Sequence, residues 1–196
     1  MKKSMIWGIG IVAVVLMVFL WFKSTYNGLV RMEEQVVAAW SQVENVYQRR
    51  SDLIPNLVAT VKGYAAHESA TLENVVAARA RATQMTLDPE QATPEQLAAY
   101  QQAQGELGQA LGRLLMLTEN YPDLKASQNF SELQAELSGT ENRIAVERKR
   151  FNEAARSYNT ALRTFPRNLV ANWFGFEKKP YFEAEQGASA APVVTF

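Results

Sequence analysis

An uninterrupted apolar run near the amino terminus constrains this chain more than any other feature. The 18 residues from Met5 to Phe22 read MIWGIGIVAVVLMVFLWF and contain no charged side chain. As an α-helix this run would be about 27 Å long, close to the roughly 30 Å hydrocarbon core of a bilayer. Trp7 and Trp21 lie near its two ends, where indole rings favour the level of the lipid headgroups. The sequence therefore predicts a transmembrane anchor at residues 5–22.

The apolar run alone does not decide whether the segment is cleaved as a signal peptide or in which direction it crosses the membrane. A cleaved signal peptide is the alternative, but signal peptides have a shorter apolar core and a small-residue cleavage site, and no such site follows Lys23. Lys2 and Lys3 precede the run and Arg31 also follows it, so the positive-inside bias is slight. The favoured arrangement has the amino terminus in the cytoplasm and the following domain outside.

The composition beyond the anchor argues against several classes of site. All 20 acidic residues lie there, against 17 basic ones (20 minus Lys2, Lys3 and Lys23), so the domain carries a charge of about −3. This balance does not suit nucleic acid, which needs a clustered basic face. The absence of cysteine excludes disulfides and thiolate sites, and the single histidine, His67, excludes a multi-histidine zinc site. We therefore expect no metal, no cofactor, no nucleic-acid partner and no small-molecule substrate.

Three long helical patterns follow the anchor, because apolar residues recur at spacings of three and four. They run from Tyr26 to Met85, from Thr93 to Tyr121 and from Phe130 to Phe165. Thr93 and Gln96 predict a capping box at the start of the second helix, and Asn129 with Glu132 predicts the start of the third. Strand patterns are missing. The predicted fold is all-α: a transmembrane helix followed by an elongated antiparallel three-to-four-helix bundle with coiled-coil-like packing.

The predicted organisation has three parts. Residues 1–23 form a cytoplasmic stub and the anchor, and residues 24–183 form the helical domain. The small-residue segment 184–196 is predicted to be a disordered tail.

Long blocks of this domain resemble the LemA family. The blocks are YNGLVRMEEQV, AWSQVENVYQRRSDLIPNLVATVKGYAAHESATLENVVAARA, ENYPDLKASQNFSELQAELSGTENRIAVERKRFNEAARSYN and TFPRNLVANWFGF. The resemblance extends from Tyr26 to Glu183. It implies a single-pass protein of the bacterial cytoplasmic membrane with a LemA-type helical bundle. No enzymatic chemistry is firmly attached to the family. The sequence has no metal-binding cluster, no nucleophile motif and no glycine-rich phosphate loop, so we expect a protein that is not an enzyme.

Pro55 lies inside the first helical pattern. Proline removes a backbone donor and clashes with the preceding turn, so we expect a kink or break there. Two interpretations are open. Pro55 either gives a simple bend that fits the bundle or forms a hinge between a membrane-proximal half and a distal half.

The unequal helix lengths suggest that one apolar seam lacks cover. A continuous first helix would be about 90 Å long, whereas the second would be about 44 Å and would return only to the level of Pro55. The seam comprises Val36, Trp40, Val43 and Tyr47. Such side chains lose roughly 1.5–3 kcal/mol each if left in water. A fold-back at Pro55, the segment Trp173–Phe182 or neighbouring copies can cover them, and we favour neighbouring copies in a homo-oligomer.

Arg50, Glu68 and Glu147 interrupt the apolar seams. One interpretation is a set of buried ion pairs that sets the register of the helices. The alternative is an acid–base set of a hydrolase, in which Glu68 and Glu147 divide the two roles. Arg50 and Glu68 would be about 27 Å apart on a straight helix, so we expect their partners on other helices or other copies.

An aromatic patch lies near the carboxyl terminus, accompanied by Lys178 and Lys179. It comprises Trp173, Phe174, Phe176, Tyr181 and Phe182. The patch suits a partner protein or the membrane surface, with packing over the end of the bundle as the alternative. The chain is therefore interpreted as a self-associating membrane scaffold. The competing hypotheses are an adaptor for a membrane protease or envelope-stress partner, and a hydrolase that uses Glu68 and Glu147.

Overall fold

The computed structural model describes residues 2–65 and 67–183, with side chains described from Ile6 onwards. Within these ranges the chain is helical and contains no strand, which confirms the predicted all-α class. The helices are α1 (Lys2–Tyr64), α2 (Ser69–Gln84), α3 (Pro94–Leu117), α4 (Pro122–Lys125), α5 (Gln128–Arg163) and α6 (Arg167–Phe174), with a 3-10 turn at Thr118–Asn120 after α3. The predicted tail, residues 184–196, lies outside the described residues.

Helix α1 joins the apolar run to the bundle without a break. It is 63 residues long, which corresponds to about 95 Å. Among the described residues it is the one helix that is long and apolar enough to cross a membrane. Its side chains are exposed from Ile6 to Leu20, and the bundle core begins at Thr25 and Leu29. The apolar run therefore continues directly into a helix that the rest of the chain surrounds.

The bundle is built by helices that run alternately away from and toward the anchor. Helix α2 returns beside α1, and Arg79 of α2 reaches the backbone of Ser51. Helix α3 runs outward again, and the 36-residue α5 then runs back along α1. The α1–α5 pairing extends from the contact of Arg49 with Glu136 to the contact of Glu33 with Tyr158. These two long helices form the main axis of the bundle.

A non-helical segment completes the membrane-proximal half of the bundle, where the short α2 does not reach. This C-terminal strap (residues 176–183) leaves α6 and runs back along α5. Its Phe182 ring stacks on Trp40 with centroids 5.9 Å apart. The strap thus covers Trp40 from the side of α5.

The predicted helix starts are partly correct. Thr93 and Gln96 form the expected capping box, since the Thr93 hydroxyl accepts from the Gln96 amide at 3.2 Å and the Gln96 side chain accepts from the Thr93 amide at 3.0 Å. The predicted cap at Asn129 is wrong. Helix α5 begins at Gln128 with Ser127 as its cap, so Asn129 already lies in the first turn.

Of the kink or break expected at Pro55, the structure shows no break. Helix α1 continues through Pro55 and ends at Tyr64, and α2 begins at Ser69, so the predicted first helix is two helices. Pro55 has no N–H to donate to the carbonyl of Ser51, four residues earlier. That carbonyl accepts a 2.9 Å hydrogen bond from Nε of Arg79 instead. A neighbouring helix therefore supplies the donor that Pro55 removes, and α1 is uninterrupted there.

Candidate functional site

The four seam residues are already buried within a single chain. Val36, Trp40, Val43 and Tyr47 are 0 %, 1 %, 0 % and 5 % exposed. The argument that they need a neighbouring copy, and with it the predicted oligomer interface, is therefore wrong. The length comparison failed because α5 and the C-terminal strap cover the seam.

Trp40 is the centre of this cover. Its ring lies 5.2 Å from Tyr100 of α3 and 5.6 Å from Phe151 of α5, in both cases edge-to-face, while Phe182 of the strap stacks on it. Such pairs add about 0.5–1.5 kcal/mol beyond the burial of their area. The aromatic cluster therefore ties the two helices and the strap to α1.

Arg50 is buried at the boundary between two apolar clusters of the core, one around Trp40 and one around Leu57. It is 3 % exposed, and its guanidinium donates to Glu141 of α5 at 2.9 Å and to the backbone carbonyl of Gln104 of α3 at 3.1 Å. It also donates to the side-chain carbonyl of Gln104. A single side chain thus links three helices. The sequence pattern did not identify Gln104 or Glu141 as its partners.

The two glutamates proposed as an acid–base pair lie far apart. Glu68 sits in the turn after α1 and accepts a 3.0 Å hydrogen bond from the Tyr121 hydroxyl. This bond raises the pKa of the Tyr121 phenol. Glu147 pairs at 2.8 Å with Arg150 on its own helix, so this ion pair does not join two helices.

Two asparagines of α5 hold the C-terminal strap by its backbone. Asn159 donates to the carbonyl of Lys179 at 2.8 Å and accepts from the Lys179 amide at 2.9 Å. Asn152 does the same with Phe182, at 2.9 Å in both directions. Seven residues of helix span about 10.5 Å and three extended residues span about 10 Å, so the two spacings match. Sequence reasoning missed this pair, although its heptad spacing beside Phe151 and Tyr158 was a usable signal.

Lys179 anchors the strap through its side chain as well. It is 4 % exposed, and its ammonium group lies 2.7 Å from Glu33 of α1 and donates to the carbonyl of Glu90 at 2.7 Å. The Tyr158 hydroxyl donates to the same Glu33 carboxylate at 3.2 Å. Burial, followed by the charge of Glu33, raises the pKa of Tyr158, which therefore stays a neutral donor at pH 7.

The predicted aromatic patch divides into two groups. Phe182 is only 6 % exposed and belongs to the core, so its assignment to a surface patch is wrong. Trp173 and Phe174 are 80 % and 49 % exposed. Both rings pack on Phe22 of α1, at 6.0 Å and 5.6 Å between centroids. Tyr181 is also exposed, and Phe176 is half-buried against Tyr26.

Helix α6 presents an outward apolar face beside the end of the apolar run. Leu169 and Trp173 are 56 % and 80 % exposed and are four residues apart, so they share one face. Phe165, which precedes the helix, is 76 % exposed. Val170 and Ala171 turn inward to the core. Sequence reasoning missed Phe165 and Leu169. This membrane-facing end of the bundle (α6 and its contacts with Phe22 and Tyr26) is the candidate functional site.

In the part of the chain that the structure describes, no three histidine, cysteine, aspartate or glutamate residues are grouped so as to hold a metal ion.

Comparison with known proteins agrees with the resemblance noted in the sequence. The LemA family model matches residues 39–196. The chain is 30 % identical to the magnetosome protein MamQ of Magnetospirillum gryphiswaldense, over 87 % of this chain and 68 % of that protein. It is 26 % identical to the protein LemA of Metamycoplasma hominis, over 82 % of this chain and 69 % of that protein. The chain belongs to the LemA family.

Proposed function

We propose that this chain is a membrane-anchored helical scaffold of the bacterial cell envelope, with no catalytic activity of its own. The observation that carries the proposal is the continuity of α1 from the apolar run into the bundle core. A partner protein that binds the bundle would then be held at a fixed distance from the bilayer. In this proposal the chain crosses the cytoplasmic membrane once, with the bundle outside.

The positions of the polar residues support a role without catalysis. Glu68 and Glu147 lie at levels of the bundle separated by about 30 Å, so they cannot act on one substrate. Arg50 is occupied by Gln104 and Glu141 and sits away from solvent. Self-association through the Val36–Tyr47 seam is not part of the proposal, because the chain itself fills that seam.

Photocrosslinking in the native membrane tests the scaffold proposal. Benzoylphenylalanine replaces one of three exposed apolar residues, Val76, Met116 or Val146, in the full-length protein. We expect discrete products at some positions, and the same products in a Glu68→Gln/Glu147→Gln double variant. The proposal fails if a hydrolytic activity of the wild type disappears in the double variant, or if no position gives a specific product.

An adaptor role is a second candidate, favoured by the exposed face of Leu169 and Trp173. Deletion of residues 173–182 is not a fair test, because it removes Phe182 and Lys179 from the core. A Leu169→Ser/Trp173→Ser variant leaves both in place. If the adaptor reading is correct, this variant loses its co-purifying partner and keeps its melting temperature.

A further inference from the structure

A cavity of about 330 Å³ opens at the membrane-facing end of the bundle. It lies between the last turn of α5, helix α6 and the C-terminal strap. Leu162, Ala171 and Phe176 give it an apolar wall, and Arg163, Asn168 and Lys178 give it a polar one. Its volume is in the range of small-ligand sites, at the lower end.

The polar wall carries two positively charged side chains without an ion-pair partner and one hydrogen-bond acceptor without a donor, among the described residues. Arg163 and Lys178 are exposed, and neither has an ion pair within residues 6–65 and 67–183. Asn168 lines the cavity, and its side-chain oxygen is buried and receives no hydrogen bond there, so a rotation of the side chain would present an unpaired acceptor to a ligand. A buried acceptor without a donor costs free energy, which a ligand hydroxyl would recover. The complementary ligand therefore carries both an anionic group and a hydroxyl.

With the apolar run in the bilayer, as the proposed function has it, the cavity lies at the height of the lipid headgroups. Phe176 in its wall packs on Tyr26 with ring centroids 5.6 Å apart, and Tyr26 is one helical turn beyond Phe22, the last residue of the apolar run. One turn corresponds to about 5.4 Å along α1. The exposed Trp173 beside Phe22 lies at the same end.

We propose that this cavity binds the headgroup of an anionic phospholipid that carries a hydroxyl, as phosphatidylglycerol does. Arg163 and Lys178 donate to the phosphate, the headgroup hydroxyl donates to Asn168, and the apolar wall contacts the glycerol backbone of the lipid. The inference rests on the membrane anchoring in the proposed function and deepens it, because it gives the bundle a specific lipid partner. Free phosphate shares the anionic chemistry and is the competing source.

Native mass spectrometry of the full-length protein in detergent tests this inference. Phosphatidylglycerol, phosphatidylcholine and phosphatidylethanol are titrated separately; phosphatidylethanol is an anionic phosphodiester without a headgroup hydroxyl. The site variant is Arg163→Gln/Lys178→Gln. The matched control, Lys23→Gln/Arg167→Gln, loses the same charge near the membrane but outside the cavity. Circular dichroism melts establish that each variant is folded.

We expect the wild type and the control to prefer phosphatidylglycerol over phosphatidylcholine. The site variant should bind phosphatidylglycerol about tenfold more weakly, as the loss of charge-assisted hydrogen bonds predicts. Asn168→Leu should weaken the binding of phosphatidylglycerol but not the binding of phosphatidylethanol. If phosphatidylglycerol binding weakens equally in the site and control variants, the inference is overturned, because the loss of any positive charge near the membrane would then explain the effect.

Free ligands distinguish the two sources of phosphate. Inorganic phosphate and glycerol phosphate are added as competitors at millimolar concentration. Displacement of the lipid by inorganic phosphate at lipid-like affinity would overturn the assignment to a lipid. If the site variant loses lipid but keeps the crosslinked products of the scaffold experiment, the site is confirmed and the scaffold proposal is unaffected. If the site variant binds phosphatidylglycerol as tightly as the wild type, the inference is overturned, whatever the crosslinks show. If the crosslinks fail while only the site variant loses the lipid, the scaffold proposal alone is overturned.

Discussion

Two adjacent arginines of α1 occupy opposite environments. Arg50 is buried and bonds to α3 and α5, whereas the side chain of Arg49 is 50 % exposed and pairs with Glu136 at 2.7 Å. Exposed pairs contribute about 0–1 kcal/mol, because solvent screens them and their side chains lose entropy. The Arg50 contacts are shielded from solvent, so the two positions form a natural comparison.

We predict that Arg50→Met destabilises the fold by about 1–3 kcal/mol, because buried acceptors on Gln104 lose their donor. Arg49→Met is the matched control and should cost under about 1 kcal/mol. Thermal unfolding of the full-length protein in detergent, followed by circular dichroism, measures both. Equal melting temperatures for the two variants would show that the buried guanidinium contributes no more than a surface ion pair.

A comparison of Arg50 with Glu147 shows how far helical periodicity predicts the environment of a polar residue. Arg50 and Glu147 both interrupt apolar ladders, and the same argument predicted both as buried links between helices. Arg50 is 3 % exposed and bonds to two other helices, whereas the Glu147 side chain is 16 % exposed and bonds to Arg150 in its own helix. A ladder position gives the face of a helix but not its depth, since depth depends on which neighbours pack there.

Helix α2 compensates for the hydrogen bond that Pro55 removes from α1. The proline leaves the Ser51 carbonyl without its helical donor, and Arg79 of α2 supplies one. The exposed position of Pro55 lets its ring face solvent while the freed carbonyl faces the bundle. The local cost of proline in a helix is thus coupled to the docking of a second helix.

A double-mutant cycle measures this coupling. Arg79→Met in the wild type leaves the Ser51 carbonyl without a side-chain donor and should cost about 1–3 kcal/mol. Pro55→Ala restores the backbone N–H and should stabilise α1 by up to about 3 kcal/mol. In the Pro55→Ala background, Arg79→Met should therefore cost less. Strictly additive effects would show that the two sites are independent.

The C-terminal strap depends on the amides of Asn152 and Asn159. We predict that Asn152→Leu/Asn159→Leu removes the backbone clamp and raises amide exchange at residues 179–183. Hydrogen–deuterium exchange with mass spectrometry measures this, and Asn142→Leu, an exposed site on the same helix, is the control. Unchanged protection in the double variant would mean that the aromatic packing of Phe182 holds the strap alone.

Element lengths explain the main failure of the sequence analysis. Helical periodicity predicted the span of α3 and most of α5, because each buries one face. The strap has no periodicity, and its cover of Trp40 depends on side-chain amides that recognise backbone. Helix lengths alone do not distinguish the three possible covers of the seam, and the cover favoured from the sequence was a second copy, not the segment Trp173–Phe182 that contains most of the strap.

At the scale of the whole molecule, the anchor and the bundle share one helix, so the bundle's orientation sets which face meets the bilayer. The contacts of Phe22 with Trp173 and Phe174 place α6 beside the last residue of the apolar run. Phe165, Leu169 and Trp173 then project apolar surface outward at that level. Such a face suits the interfacial zone of a membrane, where aromatic rings are favoured.

Spin labels test this orientation, since the chain has no cysteine and one can be placed anywhere. Leu169→Cys and Trp173→Cys place labels on the outward face of α6, and Val146→Cys places the control on an exposed site of α5 farther from the anchor. In lipid vesicles that contain this protein and no other, power saturation should show the first two labels exposed to oxygen and shielded from a water-soluble nickel relaxant. The control should show the reverse. Water exposure at all three sites would mean that the α6 face does not contact the bilayer. That result would favour the adaptor role, in which this face binds a partner protein.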